Sequence, residues 1–125
     1  MIQLDYKSGV PIYDQLVNGV IRLKALGALK PNDPLPSVRA MAAKLSINPN
    51  TVQRAYALLE QNGIIYSVTG KGSFISDDAE SENAIRQLAL QDLNGALKQA
   101  IGKGLTKEDI YSLIAELFKE GTTND

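Results

Sequence analysis

Two short helices separated by a very short turn constrain this sequence more than any other feature. Ser37 is a plausible N-cap for the first helix, residues 38–45, and Asn48 and Pro49 form an N-cap and N1 pair for the second, residues 49–62. Because only two residues separate the first helix from the cap of the second, the helices must cross steeply. The pattern predicts a helix-turn-helix.

The apolar positions of both helices agree with that geometry. Each helix carries one apolar stripe, and the two stripes can face each other across the turn: Val38, Met41, Ala42 and Leu45 on the first, and Val52, Ala55, Tyr56 and Leu59 on the second. Ala42 provides a small side chain where two crossing helices must approach closely.

The flanking segments predict the rest of a domain. Residues 12–26 predict a helix whose apolar arc is wider than one contact requires, so we expect it to pack on its own domain and on a second surface, such as the C-terminal segment. Residues 2–6 alternate like a strand, and the prolines of residues 30–34 predict a turn without regular structure. Residues 64–68 and 73–76 predict a β-hairpin. The fold class is therefore α+β, mainly α: a winged helix-turn-helix over residues 1–76.

The last third, residues 77–125, predicts a short helical dimerisation segment. Apolar residues recur with helical spacing over residues 85–101 and again over 110–118, after a glycine break and a capping box at Thr106. These stripes exceed what a small winged helix can cover, so a two-fold partner is the economical burial site. A tail folded back on its own domain remains the alternative, and residues 121–125 are expected to fray.

Charge and composition narrow the function. The formal net charge of −1 conceals a split, because residues 1–76 carry eight basic and four acidic side chains, whereas residues 77–125 carry five and ten. A positive first half is typical of a domain that meets a polyanion. The chain has no cysteine and no histidine, so we expect no enzyme, metal site or cofactor. Without a membrane span or secretory signal, the expected location is the cytoplasm.

The candidate DNA contacts come from three elements. Asn50, Gln53 and Arg54 lie opposite or beside the apolar stripe of the second helix, with Thr51 in its first turn, and these side chains can bond base edges or phosphates. For one helix alone, a solvated polar face would be the better explanation, and the turn, the preceding helix and the hairpin together favour DNA contact. The other candidates are Arg39, which begins the preceding helix, and the hairpin tip with Gly70 and Lys71, where glycine permits either close approach to DNA or a tight turn. Ser37 could bond a phosphate, but capping alone explains it.

Several short motifs of this sequence together resemble the GntR family of regulators. The resemblance rests on Leu35-Pro36-Ser37-Val38-Arg39, Asn50-Thr51-Val52-Gln53-Arg54-Ala55-Tyr56, Leu59-Glu60, Gly63 and Gly70-Lys71-Gly72-Ser73-Phe74. The motif Pro11-Ile12-Tyr13-Asp14-Gln15 and the short helical tail are similar to its YtrA subgroup. The family implies a homodimer that usually represses by occupying a double-stranded DNA operator with imperfect two-fold symmetry. It places DNA contacts on Arg39, Asn50, Thr51, Gln53, Arg54, Gly70 and Lys71. Some members have arginine at Pro49 and Gln53, so their base preference does not transfer.

Two alternatives from other function classes remain, a protein-binding winged helix and a small hydrolase. A winged helix that binds protein instead of DNA would not need Arg39, Arg54 and Lys71 on the expected DNA face. A small hydrolase would have to use Asp77, Asp78 or Glu80, which cluster in a predicted linker without a cleft. The tail is too short to enclose a drug-sized pocket unaided, so no single-chain sensor fold is expected, and the sequence does not disclose whether a small-molecule effector binds.

Overall fold

The computed structural model describes residues 2–77 and 80–121. In chain order its elements are α1 (Ile12–Ala25), α2 (Val38–Leu45), α3 (Pro49–Gln61), β1 (Ile65–Val68), β2 (Gly72–Ile75), α4 (Glu80–Gly102) and α5 (Lys107–Gly121). This order confirms the mainly α winged helix followed by a helical tail. The chain divides into two compact units, residues 1–87 and residues 88–125, so the division falls inside α4.

Local capping bonds begin both α2 and α3. Ser37 Oγ accepts a hydrogen bond from the Ala40 N–H at 3.0 Å, and Asn48 Oδ1 accepts one from the Asn50 N–H at 2.8 Å. Ser46 ends α2 in the left-handed region, with φ of 56°. Pro49 follows at N1, where the absence of an N–H costs nothing. Both predicted caps are confirmed.

The core of the first unit is centred on α3. Its stripe Val52, Ala55, Tyr56 and Leu59 is buried, and both α1 and α2 pack against this helix. The neighbouring elements contribute the rest of the core, namely Leu16, Val17, Val20, Met41, Ala42, Ile64, Ile65 and Ile75. With its inner face fully used in this way, α3 has only its outer face available for a partner.

The hairpin has a third backbone segment on its edge. β1 and β2 are antiparallel, with Ile65 opposite Ile75. On the other side of β2, the loop before α2 adds backbone bonds from Leu35 N–H to the Ser73 carbonyl and from Ile75 N–H to the Asp33 carbonyl, both at 2.8 Å. The prediction that residues 30–34 lack regular structure was therefore wrong in part, because Pro34 forms a β-bridge with Phe74 at the sheet edge, where a missing N–H is tolerated.

The predicted strand over residues 2–6 is wrong. Residues 2–5 form no strand, and the segment is held against α1 by side chains instead. Gln15 Oε1 accepts from the Asp5 N–H at 2.8 Å, and Gln15 Nε2 donates to the Asp5 carbonyl at 2.9 Å. Ile2 lies against Gly19, where an added Cβ would stand 3.2 Å from its side chain. An alternating pattern cannot indicate whether a partner strand exists.

The predicted second surface of α1 contacts the start of α4. Lys24 Nζ donates to Ser81 Oγ at 2.8 Å, and Ser81 is buried. Ile21 and Ala25 line one groove together with Ile85. The first two turns of α4 therefore belong to the same unit as the winged helix.

The second unit consists of the remainder of α4 and of α5. The predicted capping box is present, since Thr106 N–H donates to Asp109 Oδ2 at 2.9 Å and Asp109 N–H donates to Thr106 Oγ1 at 3.1 Å. Hydrogen bonds to the Asp109 carboxyl from the Thr106 backbone N–H, the larger cause, and from the Thr106 side chain hold the pKa of that carboxyl below its usual value. Gly104 makes the preceding turn with φ of 100°. The expected fraying of residues 121–125 concerns mostly residues outside those described.

Most large apolar side chains of this second unit are exposed. They are Leu90, Leu93, Ile101, Leu105, Tyr111, Leu113, Ile114, Leu117 and Phe118, with Phe118 the most exposed at 68%. On α5, four of these lie on the stripe that the sequence predicted. Among the described helices, none is both long and apolar enough to cross a membrane.

Candidate nucleic-acid interface

The outer face of α3 presents three polar side chains to solvent. Asn50, Gln53 and Arg54 are exposed, and the turn-and-cap geometry described above places them in the first half of the helix. Thr51 is half-buried, and its N–H donates to the Asn48 carbonyl at 3.0 Å. Amide and guanidinium groups here can form paired hydrogen bonds with base edges. Thr51 lies beside this face instead of at its centre.

The start of α2 provides Ser37 and Arg39. Ser37 is exposed and its Oγ caps the helix, so capping is an observed role for this residue. Arg39 is exposed in the first turn. In a docked helix-turn-helix the first helix crosses the DNA backbone, which makes an exposed arginine at this end suitable for a phosphate.

The tip of the hairpin carries Lys71 between two glycines with positive φ. Gly70 has φ of 78° and Gly72 has φ of 107°, and the Lys71 N–H closes the turn on the Val68 carbonyl at 2.9 Å. A Cβ added at either glycine would meet no atom within 4 Å. The glycines are therefore required by the backbone conformation of the turn, and Lys71 between them is exposed.

One contact of the candidate face was not predicted from the sequence. The guanidinium carbon of Arg54 lies 5.0 Å from the centroid of the Tyr13 ring, on α1. In the sequence, Tyr13 stands out only as part of the Pro11-Ile12-Tyr13-Asp14-Gln15 motif. No local pattern could pair it with Arg54, because the contact depends on how α1 packs against α3.

All eight candidate residues lie in the first unit, on α2, α3 and the hairpin or beside them. Seven are exposed and Thr51 is half-buried. The elements that carry them are joined, because α2 packs on α3 and α3 packs on β1. Basic side chains come from each of the three elements, namely Arg39, Arg54 and Lys71.

Of the three carboxylates that the hydrolase alternative would use, the structure describes the side chain of Asp77. Asp77 is exposed, whereas Asp78 and the side chain of Glu80 lie outside the described residues. Within the described parts of the chain, no group of three or more acidic side chains could hold a metal ion.

Comparison with known proteins yields matches over the whole chain. The family model described as bacterial regulatory proteins, gntR family, matches residues 12–75. The HTH-type transcriptional repressor YtrA of Bacillus subtilis (strain 168) is 36% identical over 130 aligned positions, covering 100% of both chains.

Two solved structures extend this likeness to the fold. A GntR family transcriptional regulator from Listeria monocytogenes has a TM-score of 0.63 and 34% identity, covering 89% of this chain and 98% of that one. YtrA from Sulfolobus acidocaldarius, a GntR-family transcription factor, has a TM-score of 0.57 and 32% identity, covering 95% and 97%. At this coverage each alignment extends past the winged helix into the helical tail.

Proposed function

This chain belongs to the GntR family of bacterial regulatory proteins, in which it is a DNA-binding transcriptional regulator similar to YtrA, and we propose that it represses transcription as a homodimer bound to a two-fold operator. The observation that carries this proposal is the exposed polar face of α3. The cap at Asn48 begins this helix, and the apolar stripe on its opposite side is buried in the core. A protein-binding winged helix would have no need of basic side chains on all three DNA-facing elements.

The proposed division of labour follows from the chemistry of each position. Asn50, Gln53 and Arg54 read base edges in the major groove, where amides suit adenine and a guanidinium suits guanine. Thr51 contributes a contact from the first turn of α3. The remaining candidates bind the backbone or the minor groove: Ser37 and Arg39 at the start of α2, and Gly70 and Lys71 at the wing tip.

The proposed dimer uses the exposed apolar residues of the second unit. On α5, Leu113, Ile114, Leu117 and Phe118 recur at the spacing of one helix face, and each is at least 41% exposed. Contiguous apolar surface of this kind is unusual on a monomer and suits a self-complementary two-fold interface. Such a dimer would carry two copies of α3 to half-sites separated by one helical turn of DNA or a multiple of it.

The same proposal assigns no catalytic step to the chain. Binding to an operator is sufficient to exclude a polymerase, so regulation needs neither a cofactor nor a metal. We place this activity in the cytoplasm, where bacterial DNA is found.

A titration of the full chain tests the assignment of α3. The probe is the duplex that the wild-type chain enriches most strongly from a random-sequence library. Gln53→Ala should weaken its binding by about 1 to 3 kcal/mol and relax the preference at one base pair, because a bidentate base contact is lost. The melting temperature should not change, since Gln53 is exposed.

Gln61→Ala is the matched control, because Gln61 is exposed at the far end of the same helix. The control should bind like the wild type. If both glutamine variants bind the enriched duplex as tightly as the wild type, another surface reads the DNA.

A further inference from the structure

Arg54 is the one candidate base-reading residue whose side chain has a partner on another helix. Its guanidinium carbon lies 5.0 Å from the centroid of the Tyr13 ring. Tyr13 is the second residue of α1 and is half-buried, whereas Arg54 is exposed on α3. The contact therefore joins the first turn of α1 to the outer face of the recognition helix.

The physical consequence of this contact is restraint of a long side chain. A guanidinium over an aromatic face is attracted by the ring quadrupole. An arginine side chain has several rotatable bonds, and the freedom that it loses on binding opposes association. A ring that already holds the guanidinium in the free protein reduces that loss. The planar donor fork is then available in a defined orientation before DNA arrives.

We propose that Tyr13 is a positioning residue for DNA recognition, in which its ring holds Arg54 ready to donate a paired hydrogen bond to a guanine edge. This inference rests on the proposed function of α3. Tyr13 itself touches no base in this account, and its effect on DNA passes entirely through Arg54.

A purely structural role for Tyr13 makes a different prediction. The side chains of α1 that are buried in the core are Leu16, Val17 and Val20, whereas Tyr13 is half-buried at the end of the helix. If Tyr13 served only to pack α1 on α3, its loss would weaken the whole domain, and the effect would not depend on Arg54. A double-mutant cycle separates the two roles.

The experiment compares Tyr13→Leu, Tyr13→Phe, Arg54→Ala and the Tyr13→Leu/Arg54→Ala double variant in the full chain. Each is titrated with the duplex that the wild type enriches and with a random-sequence duplex of equal length. Tyr13→Leu should weaken binding to the enriched duplex about two- to fivefold. Tyr13→Phe should bind like the wild type, because the aromatic ring remains. Neither change should affect the random duplex.

In the Arg54→Ala background, Tyr13→Leu should have no further effect. Tyr6→Leu is the control, since Tyr6 is an exposed tyrosine of the same unit. This variant should bind like the wild type. An equal loss with and without Arg54, or no loss in Tyr13→Leu, would overturn the inference while leaving the proposed function intact. Unchanged binding by Arg54→Ala would also overturn it, whereas failure of the wild type to enrich any duplex would instead refute the proposed function.

Discussion

Tyr56 shows how a single buried side chain joins the two helices of the DNA-binding motif. It lies on the inner stripe of α3 and is 5% exposed, and its hydroxyl donates to the Pro36 carbonyl at 2.8 Å, just before α2. Burial raises the pKa of this phenol from 10.0 to about 12. The hydrogen bond fixes the loop that positions Ser37 and Arg39.

The raised pKa of Tyr56 predicts a loss of stability in alkaline solution. Because the folded state favours the protonated phenol, its full contribution to the free energy of unfolding is present below pH 10 and is lost as the pH rises towards 12. Tyr56→Phe should cost about 1 kcal/mol at neutral pH, since the Pro36 carbonyl loses its donor. Denaturant titrations of both proteins at several pH values measure this. A stability difference that stays constant from pH 9 to about 12 would contradict it.

Individual elements differ in how far the sequence predicts them. The caps at Ser37, Asn48 and Thr106 were predicted because each bond joins residues two or three apart. The failures all depend on partners distant in the chain: residues 2–5 lie on α1 instead of in a sheet, and Pro34 meets Phe74. The same holds at the candidate site, where the outer face of α3 follows from periodicity but the contact of Arg54 with Tyr13 does not.

The hairpin tip carries a prediction of its own. The Lys71 ammonium should meet phosphate or the minor groove. Lys71→Ala should therefore weaken binding to enriched and random duplexes alike, and should reduce the slope of log binding constant against log salt concentration by roughly one. Lys103→Ala, an exposed lysine in the turn before α5, is the matched control and should leave the slope unchanged. The readout is the affinity at several salt concentrations. A loss confined to the enriched duplex would mean that Lys71 reads a base.

At the scale of the whole molecule, the two units divide the chemistry of the chain. The first, residues 1–87, contains all the candidate DNA contacts, and the second, residues 88–125, exposes apolar side chains on both of its helices. The charge split lies earlier in the chain than this division, because it separates the basic residues 1–76 from the acidic residues 77–125. The proposed dimer connects the two, because it covers the apolar tail and pairs two recognition helices.

The proposed dimerisation through α5 would make the second half-site contact effectively intramolecular, which can raise avidity by roughly 10² to 10⁴. Leu117→Asp places a charge on a side chain that is 56% exposed in the single chain but buried in the proposed interface, so it should yield a monomer by light scattering. Glu116→Asp, a conservative change at the adjacent exposed position, should remain dimeric.

The most direct test titrates the wild type and Leu117→Asp with the enriched duplex and with the same duplex after one half-site is scrambled. The account predicts that the wild type strongly prefers the intact duplex, whereas the monomeric variant binds both duplexes equally weakly. An intact preference in a monomeric variant, or a wild type that does not distinguish the two duplexes, would contradict it.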